Sequence, residues 1–359
     1  MAAPTPLPPG SVIGCLGTGQ LGRMLALAAA PLGYVVHGFG PTTRSPLHQV
    51  TGRCTTGAYN DRAALATFAD AVDVVTYEFE NVPGEAAAFL AERVPVRPGP
   101  QLLHVSQDRL VEKRFAEQCG ARTAPFRGVY TRRDLTLAVE VLGVPAVLKT
   151  RRFGYDGKGQ VVLRSRDPAV LDEAWLKLRG VPCILEGFVD FAFEASVVVA
   201  RGLDGAIAAF PLVENIHRDH ILWQTRAPAQ VDPEVARRAQ DLAVRMARLV
   251  KLEGVMAVEL FVEADGTVRV NEIAPRTHNS GHWTQDGCAI SQFEQQVRAI
   301  TGLPLGPTDV VRPTVMTNLL GEDVLDLAGE YADPCCRVHL YGKEDIRPGR
   351  KMGHVNRLG

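Results

Sequence analysis

Apolar and polar positions in the first hundred residues follow two periods in turn. Runs rich in apolar and β-branched residues at 11–17 (SVIGCLG), 34–40 (YVVHGFG) and 73–79 (DVVTYEF) alternate with stretches of helical spacing at 20–33, 61–72 and 84–93. Repeated strand and helix in that order predict a parallel sheet with helices on its faces, an α/β unit. The segment 95–100 (PVRPGP) breaks the pattern and predicts a boundary loop. Beyond it the order is mixed, as in an α+β arrangement. A helix is expected at 108–119, strands at 146–150 and 160–165 around a Gly-rich loop, and strands at 183–189 and 193–202. A long helix at 233–252, a hairpin, a helix near 290–300 and a strand-rich tail through Asn356 complete the chain.

The hairpin carries the most chemistry. Residues 255–262 and 267–273 are β-branched and apolar, while Glu263, Ala264, Asp265 and Gly266 supply a turn. An ungapped register that sets Val262 opposite Thr267 sets Glu259 opposite Val270, with Glu272 two positions on along the same face. Both carboxylates then point one way. Like charges among apolar neighbours are costly unless a cation or a proton lies between them. Oxygen ligands select a hard cation, Mg2+ or Mn2+, with phosphates completing its shell. A solvated hairpin face is the plainer reading of the same pair. Against it stands the polar loop that follows, where Asn271, Arg276, His278, Asn279, Ser280 and His282 crowd together directly after a strand.

Composition narrows the class. At 359 residues and 46% hydrophobic content the chain fits a soluble protein of two or three domains, and a net charge of -1 gives no footprint for nucleic acid or an anionic membrane. Residues 1–10 have no basic side chain and no apolar core of a secretory signal, so a loose tail is expected. The most apolar stretch, 24–36, is broken by Pro31 and Gly33 and is too short to span a bilayer. Seven cysteines without C-x-x-C spacing point to a reducing cytoplasm rather than a metal motif.

Three further segments have two readings each. GTGQLG (17–22) fits a Gly-rich turn between strand and helix, where a dinucleotide pyrophosphate sits. A dinucleotide site also wants an acid about twenty residues on, and the first acidic residue of the chain is Asp61. The turn therefore holds another phosphate or polar group, or only packs tightly. In LKTRRFGYDGKGQV the glycines Gly154, Gly157 and Gly159 let backbone approach a polyphosphate, with Lys149 and Lys158 as charge, or else form an ordinary basic hairpin. The chain has only seven lysines, and four of them (Lys149, Lys158, Lys343, Lys351) lie here or in the basic tail. Glu186 and Glu194 sit beside apolar residues that could enclose a flat base and its ribose, or are solvated strand residues. Asp108 and Arg109 read as a helix start. Glu78 lies at the C-terminal end of a strand, where open α/β sheets bind ligands. Lys343, Arg347, Arg350 and Lys351 suit a phosphate monoester or a solvated face.

Taken together, GTGQLGRML, QDRL, KTRRFGYDGKGQ, NEIAPRTHNSGHWTQ and RPGRKMGH, in that order from Gly17 to Asn356, resemble the ATP-grasp enzymes. Within them they resemble the 5-(carboxyamino)imidazole ribonucleotide synthases of bacterial and fungal purine synthesis. The formate-dependent glycinamide ribonucleotide formyltransferases share the Glu pair and an xPRxH loop, but HNSGHWTQ and RPGRK favour the first family. The resemblance implies an ATP-grasp fold with an N-terminal Rossmann-like parallel-sheet domain (11–105), a small mobile lid domain (106–187) and a C-terminal mixed domain (188–359). It implies that Arg109, Lys149, Gly154, Tyr155, Asp156, Gly157, Lys158, Gly159, Gln160, Glu186, Gly187, Phe188, Val189, Glu194 and His217 hold ATP. Backbone groups of Glu186, Gly187, Phe188 and Val189 would meet adenine, Glu194 the ribose, and Lys149 and the loop the phosphates. Glu259 and Glu272 would bind Mg2+, with Asn271 adjoining.

By the same resemblance Gln20, Glu78, Arg276, His278, Asn279, Lys343 and Arg350 would contact aminoimidazole ribonucleotide, the last two through its phosphate. Tyr155, Asp156 and Lys158 would close over the reacting centre, with Arg276 as a further catalytic group. The implied reaction joins bicarbonate to the amine of that nucleotide through carboxyphosphate, with ATP giving ADP and phosphate, in a cytoplasmic homodimer. Two features depart from the pattern. Members of the family commonly continue beyond the GHxN segment, whereas this sequence ends at Gly359, so packing near the C-terminus is not carried over. Many ATP-grasp enzymes also have Asn two positions after the second metal Glu, where this chain has Ala274, as the carboxyamino family does.

Overall fold

The structure is a computed structural model that describes residues 5–154 and 159–359. Strands Val12–Leu16 and Val74–Tyr77 are buried along their whole length, as a parallel sheet covered on both faces requires. The sheet has four parallel strands among the described residues, in the order Cys54–Thr56, Val35–Gly40, Val12–Leu16, Val74–Tyr77. Helices follow the strands as the pattern predicts. Asp61 starts the helix Arg62–Ala69 by accepting from the amides of Ala63 and Ala64, each at 3.0 Å.

A four-stranded antiparallel sheet, ordered Phe126–Val129, Cys183–Gly187, Ala146–Thr150, Gln160–Leu163, forms a separate small unit. Helices Arg132–Leu142 and Pro168–Lys177 supply its core through Leu135, Val139, Leu171 and Ala174. The Gly-rich loop joins two antiparallel strands here, and its base is closed where the Thr150 amide donates to the Gly159 carbonyl at 2.8 Å.

The third and largest sheet has ten strands among the described residues. Its centre is Phe193–Arg201 paired with Gly254–Val262, which pairs in turn with Val268–Ala274. Helix Pro233–Leu249 covers one face, packing on Val197, Met256, Val258, Leu260, Val270 and Ile273. Helix Gln292–Thr301 covers part of the other face, and its Val297 and Ile300 also pack on Ile13, Leu25 and Val36. One helix thus holds the parallel sheet against the large sheet. The C-terminal ends of the parallel strands therefore face the glutamate hairpin across a cleft.

Two expectations need correction. Residues 5–10 are not a loose tail: the Leu7 amide donates to the Thr301 carbonyl at 2.8 Å, and the Tyr34 hydroxyl donates to the Leu7 carbonyl at 2.8 Å. The cause is apolar, because Leu7 packs into the core shared by Ile300 and Tyr34. The hairpin register also differs. Val262 faces Val268, Leu260 faces Val270, and Glu259 faces Glu272, with an irregularity between Glu259 and Leu260. Asn271 is the extra residue of a β-bulge. Val270 and Ile273, three apart, both enter the core under helix Pro233–Leu249, so Asn271 and Glu272 are both left on the opposite face. The carboxylates do share a face, but as direct cross-strand partners.

Candidate active site

The cleft holds a cavity of about 850 Å³ lined from all three sheets. Of the residues singled out in the sequence, Gln20, Glu78, Arg109, Lys149, Gly154, Gln160, Phe188, Glu194, His217, Glu259, Asn271, Glu272, Arg276, His278 and Asn279 line it. Lys343 and Arg350 line a second cavity of about 450 Å³, which shares Gln20, Glu78 and Phe79 with the first. Glu186 lies behind Lys149, and neither Gly187, Val189 nor Gly159 is among the lining residues. Tyr155, Asp156, Gly157 and Lys158 lie outside the described residues.

The Gly-rich turn of the first domain holds a carboxylate of the protein itself. Glu78 reaches back to the N-terminus of helix Gln20–Ala29, accepting from the amide of Gly19 and, at 2.9 Å, from that of Gly22. A Cβ on Gly19 would lie 2.6 Å from Glu78 Oε1, so the glycine is required by this approach. Burial pushes the Glu78 carboxyl above its usual range, and the two amides act against that rise. The position that a dinucleotide pyrophosphate takes in other folds is filled from within.

On the hairpin, Glu259 Oε1 pairs with His278 Nε2 at 2.9 Å, and Glu272 Oε2 with Arg109 Nη1 at 2.9 Å. Burial opposes ionisation of Glu272, but Arg109 holds its carboxyl below the usual range. The side-chain oxygen of Asn271 is buried and has no hydrogen-bond partner. Two carboxylates and an unpartnered amide oxygen on one face form a hard, oxygen-only donor set. Among the described residues no group of three or more His, Cys, Asp or Glu side chains is arranged to hold a metal unaided.

The residues expected to meet a base start from the small sheet. Glu186, only 2% exposed, accepts from Lys149 Nζ at 2.9 Å, with Lys113 Nζ at 3.5 Å. Burial alone would raise its pKa, yet the two ammonium groups bring it down to about 2. The amides of Gly187 and Phe188 already donate to the carbonyls of Pro125 and Pro145, at 2.8 and 3.2 Å, so neither is free for a base without rearrangement. Phe191 stacks on Phe261 with ring centroids 4.6 Å apart and an interplanar angle of 10°, forming an apolar wall beside Phe188. Glu194 contacts His217 Nδ1 across neighbouring strands. The ion pair raises the His217 pKa against burial, which lowers it.

The loop after Glu272 is clamped by amide side chains. Gln292 accepts from the His278 amide at 2.9 Å and donates to its carbonyl at 2.7 Å. Gly281 is needed there because a Cβ would collide with Gln292. Asn279 and Asn318 exchange two hydrogen bonds at 3.0 and 2.8 Å, and Asn356 donates to the His282 carbonyl at 3.1 Å. Arg276 is oriented by Glu80, which accepts from its Nε at 2.6 Å.

Sequence reasoning missed several of these residues. Glu80 was hidden by Glu78 two positions away on the same strand end. Lys113 and Glu112 lie in the helix expected at 108–119 but were not singled out, and both are buried. Lys113 donates to the carbonyls of Val270 and Asn271 at 3.3 and 2.9 Å, and Glu112 accepts from the Ile273 amide at 2.6 Å. Together they brace the bulge from behind. Burial, and then the Glu272 charge, push the Glu112 carboxyl well above its usual range. Lys351 lines the main cavity with His217 and Glu259, apart from Lys343 and Arg350. The unbroken charge run 350–351 gave no hint of that division.

Known proteins arrange the same elements in the same way. The ATP-grasp domain family matches residues 114–293, the ribonucleotide synthetase preATP-grasp domain 11–107, and the phosphoribosylaminoimidazole carboxylase C-terminal domain 314–359. The chain is 48% identical over 354 residues to N5-carboxyaminoimidazole ribonucleotide synthase of Brucella melitensis, covering 99% of this chain and 98% of that protein. It is 45% identical to the Bacillus subtilis synthase over 349 residues, covering 97% of this chain and 91% of that protein. A crystal structure of an N5-carboxyaminoimidazole ribonucleotide synthetase with ADP superposes with a TM-score of 0.95 at 44% identity, covering 100% of this chain and 94% of that one. The Aspergillus clavatus synthase, solved with ADP and 5-aminoimidazole ribonucleotide, gives a TM-score of 0.91 at 32% identity, with 98% and 94% covered. The chain belongs to the N5-carboxyaminoimidazole ribonucleotide synthase family of ATP-grasp ligases.

Proposed function

We propose that this protein carboxylates the amine of 5-aminoimidazole ribonucleotide with bicarbonate, at the expense of ATP, and that the 850 Å³ cavity and the 450 Å³ cavity beside it together hold both nucleotides. The observation that carries the reading is the cross-strand pair Glu259 and Glu272 beside the unpartnered oxygen of Asn271, with Arg109 bonded to Glu272 and with Lys149 lining the same cavity. Glu259, Glu272 and Asn271 offer a donor set that fits Mg2+, with Mn2+ as a substitute, and the ion they would hold would supply charge neutralisation for phosphoryl transfer. The bulge offers an amide donor immediately before Glu272, where many ATP-grasp enzymes place one two residues after it. Glu194 and His217 would meet the ribose, and Phe188, Phe191 and Phe261 enclose adenine. Lys149 would leave Glu186 in part to meet phosphate.

Bicarbonate is a poor electrophile, so its oxygen attacks the γ-phosphoryl group first and displaces ADP, and the amine then meets carboxyphosphate, or the CO2 released from it, with phosphate leaving. Arg276, held by Glu80, would fix the bicarbonate or carboxyphosphate charge. Water would destroy that intermediate, and by the resemblance Tyr155, Asp156 and Lys158, which lie outside the described residues, would close over it. Gln20 and Glu78, at the junction of the two cavities, would hold the ribonucleotide so that its phosphate reaches Lys343 and Arg350. The resemblance also carries a cytoplasmic homodimer, and the seven cysteines are all unpaired.

ADP release at fixed bicarbonate tests the reading: it should be stimulated by aminoimidazole ribonucleotide and not by formate with glycinamide ribonucleotide. Equal release with and without the acceptor would leave only a nucleotide-binding module. A second expectation concerns pH. Burial, with Arg350 adding to it, brings the Lys343 pKa down to about 8. The ammonium is therefore charged below that pH and lost above it. kcat/KM for aminoimidazole ribonucleotide should fall as pH rises through about 8, whereas the KM for ATP stays flat. Lys343→Met should lower kcat/KM and remove the step.

A further inference from the structure

Behind the loop that carries His278 lies a row of buried polar side chains that lines neither of the two cavities. Thr225, Asn215 and Ser196 sit on three successive strands of the large sheet, and Ser280 stands on the loop above them. All four are between 0 and 5% exposed, so no bulk water competes for their hydrogen bonds. Thr225 Oγ1 donates to Asn215 Oδ1 at 3.0 Å, Asn215 Nδ2 to Ser196 Oγ at 3.0 Å, and Ser196 Oγ to Ser280 Oγ at 2.6 Å. Ser280 Oγ lies 2.8 Å from His278 Nδ1.

The direction of this chain is fixed at both ends. The Asn215 amide nitrogen can only donate, which turns the Ser196 proton toward Ser280. The Ser280 backbone amide, which also can only donate, lies 3.3 Å from His278 Nδ1. Nδ1 therefore accepts, and the neutral ring carries its proton on Nε2, 2.9 Å from Glu259 Oε1. The protons of five successive bonds all point the same way, from Thr225 to Glu259. Ser196 is also the cross-strand partner of Glu259, so the chain returns to the strand pair where it can act. Hydrogen bonds aligned in a dry interior polarise one another.

We propose that Thr225, Asn215, Ser196 and Ser280 are positioning residues, which fix His278 as the Nε2–H tautomer and thereby hold the Glu259 carboxylate in its ligating orientation. They touch neither nucleotide. Their effect on the cation rests on the reading of Glu259 as a metal ligand, whereas the tautomer does not. A carboxylate whose second oxygen is held by a hydrogen bond loses metal affinity when that support is removed, by about tenfold or more in characterised sites.

The ring state is read directly in metal-free protein labelled with 15N-histidine, the His278 signal being the one that His278→Gln removes. The expected spectrum has an unprotonated Nδ1 and a protonated Nε2 in the neutral ring. A protonated Nδ1 in the wild-type protein overturns the proposal whatever the variants do. Mn2+ binding in the presence of ADP, followed by electron paramagnetic resonance, supplies the second readout. Ser280→Ala should weaken it about tenfold, with ADP affinity in the absence of metal unchanged. Wild-type Mn2+ affinity in a folded Ser280→Ala protein overturns the role in holding Glu259. Failure of the wild-type protein to bind Mn2+, with the tautomer as expected, would overturn the metal reading and uphold the ring assignment.

Discussion

Glu272→Gln should lower ADP formation on the order of a thousandfold and leave the protein folded. Glutamine keeps the shape of the side chain and removes the charge, so whatever the carboxylate does as a ligand is lost. The structural cost is small. Glu272 is partly exposed, its partner Arg109 stays within reach of solvent, and loss of such a pair costs at most about 1 kcal/mol. Steady-state ADP release and a thermal melt read the two sides separately. Turnover near the wild-type level would remove Glu272 from the phosphoryl-transfer site, and a collapsed melt would show that the Arg109 contact matters more than its geometry implies. Glu259→Gln is a less clean probe, because it also changes the acceptor of the His278 bond.

The second large effect concerns Lys113, a fully buried ammonium that lines neither cavity. Lys113→Met should destabilise the fold by about 3 kcal/mol, because a buried charge cluster is broken from one side. Glu186 then keeps Lys149 alone, and the carbonyls of Val270 and Asn271 lose their donor at the bulge. Acid unfolding gives a second signature. In the wild-type protein the Glu186 pKa lies at about 2, below its unfolded value. The stability it contributes is complete above the unfolded value and is lost as pH falls toward 2. In the variant the folded pKa moves up, so less stability is contributed at neutral pH and the loss on acidification is correspondingly smaller. Urea unfolding at neutral and acid pH measures both. Unchanged stability at pH 7 would mean that Glu186 is satisfied by Lys149 alone.

These two residues differ in how far the sequence announced them. Glu272 stood out because it follows a strand pattern, shares it with Glu259, and leads into a loop dense in polar groups. Even so, the register drawn from strict alternation was wrong by one bulge. A signal was available in VNEI: Val270 and Ile273 are apolar and three apart, and both can enter the core only if a residue between them is extra. Lys113 gave no signal. In RLVEKRFAEQ the charges outnumber the apolar positions, and the helix reads as a solvated one. Its burial follows from the strand and the small sheet that close over it.

The same division runs through the rest of the molecule. Local periodicity and turn residues were enough for the parallel sheet, the long helix, the Gly-rich hairpin and the shared face of the two glutamates, since each depends on neighbours within a few residues. Which charges neutralise one another was decided elsewhere. Arg109 meets Glu272 across 163 positions of sequence, and Arg276 meets Glu80 across 196. The Gly-rich turn shows the consequence most plainly. From sequence it could hold a phosphate, another polar group or nothing, and only the arrival of Glu78 from a strand 56 to 59 residues away filled it with a carboxylate. Backbone conformation is a local property, so a sequence can specify it piece by piece. A charge network is a property of the assembled interior, where burial sets the cost of each unpaired group and the fold determines which partner is near enough to offset it.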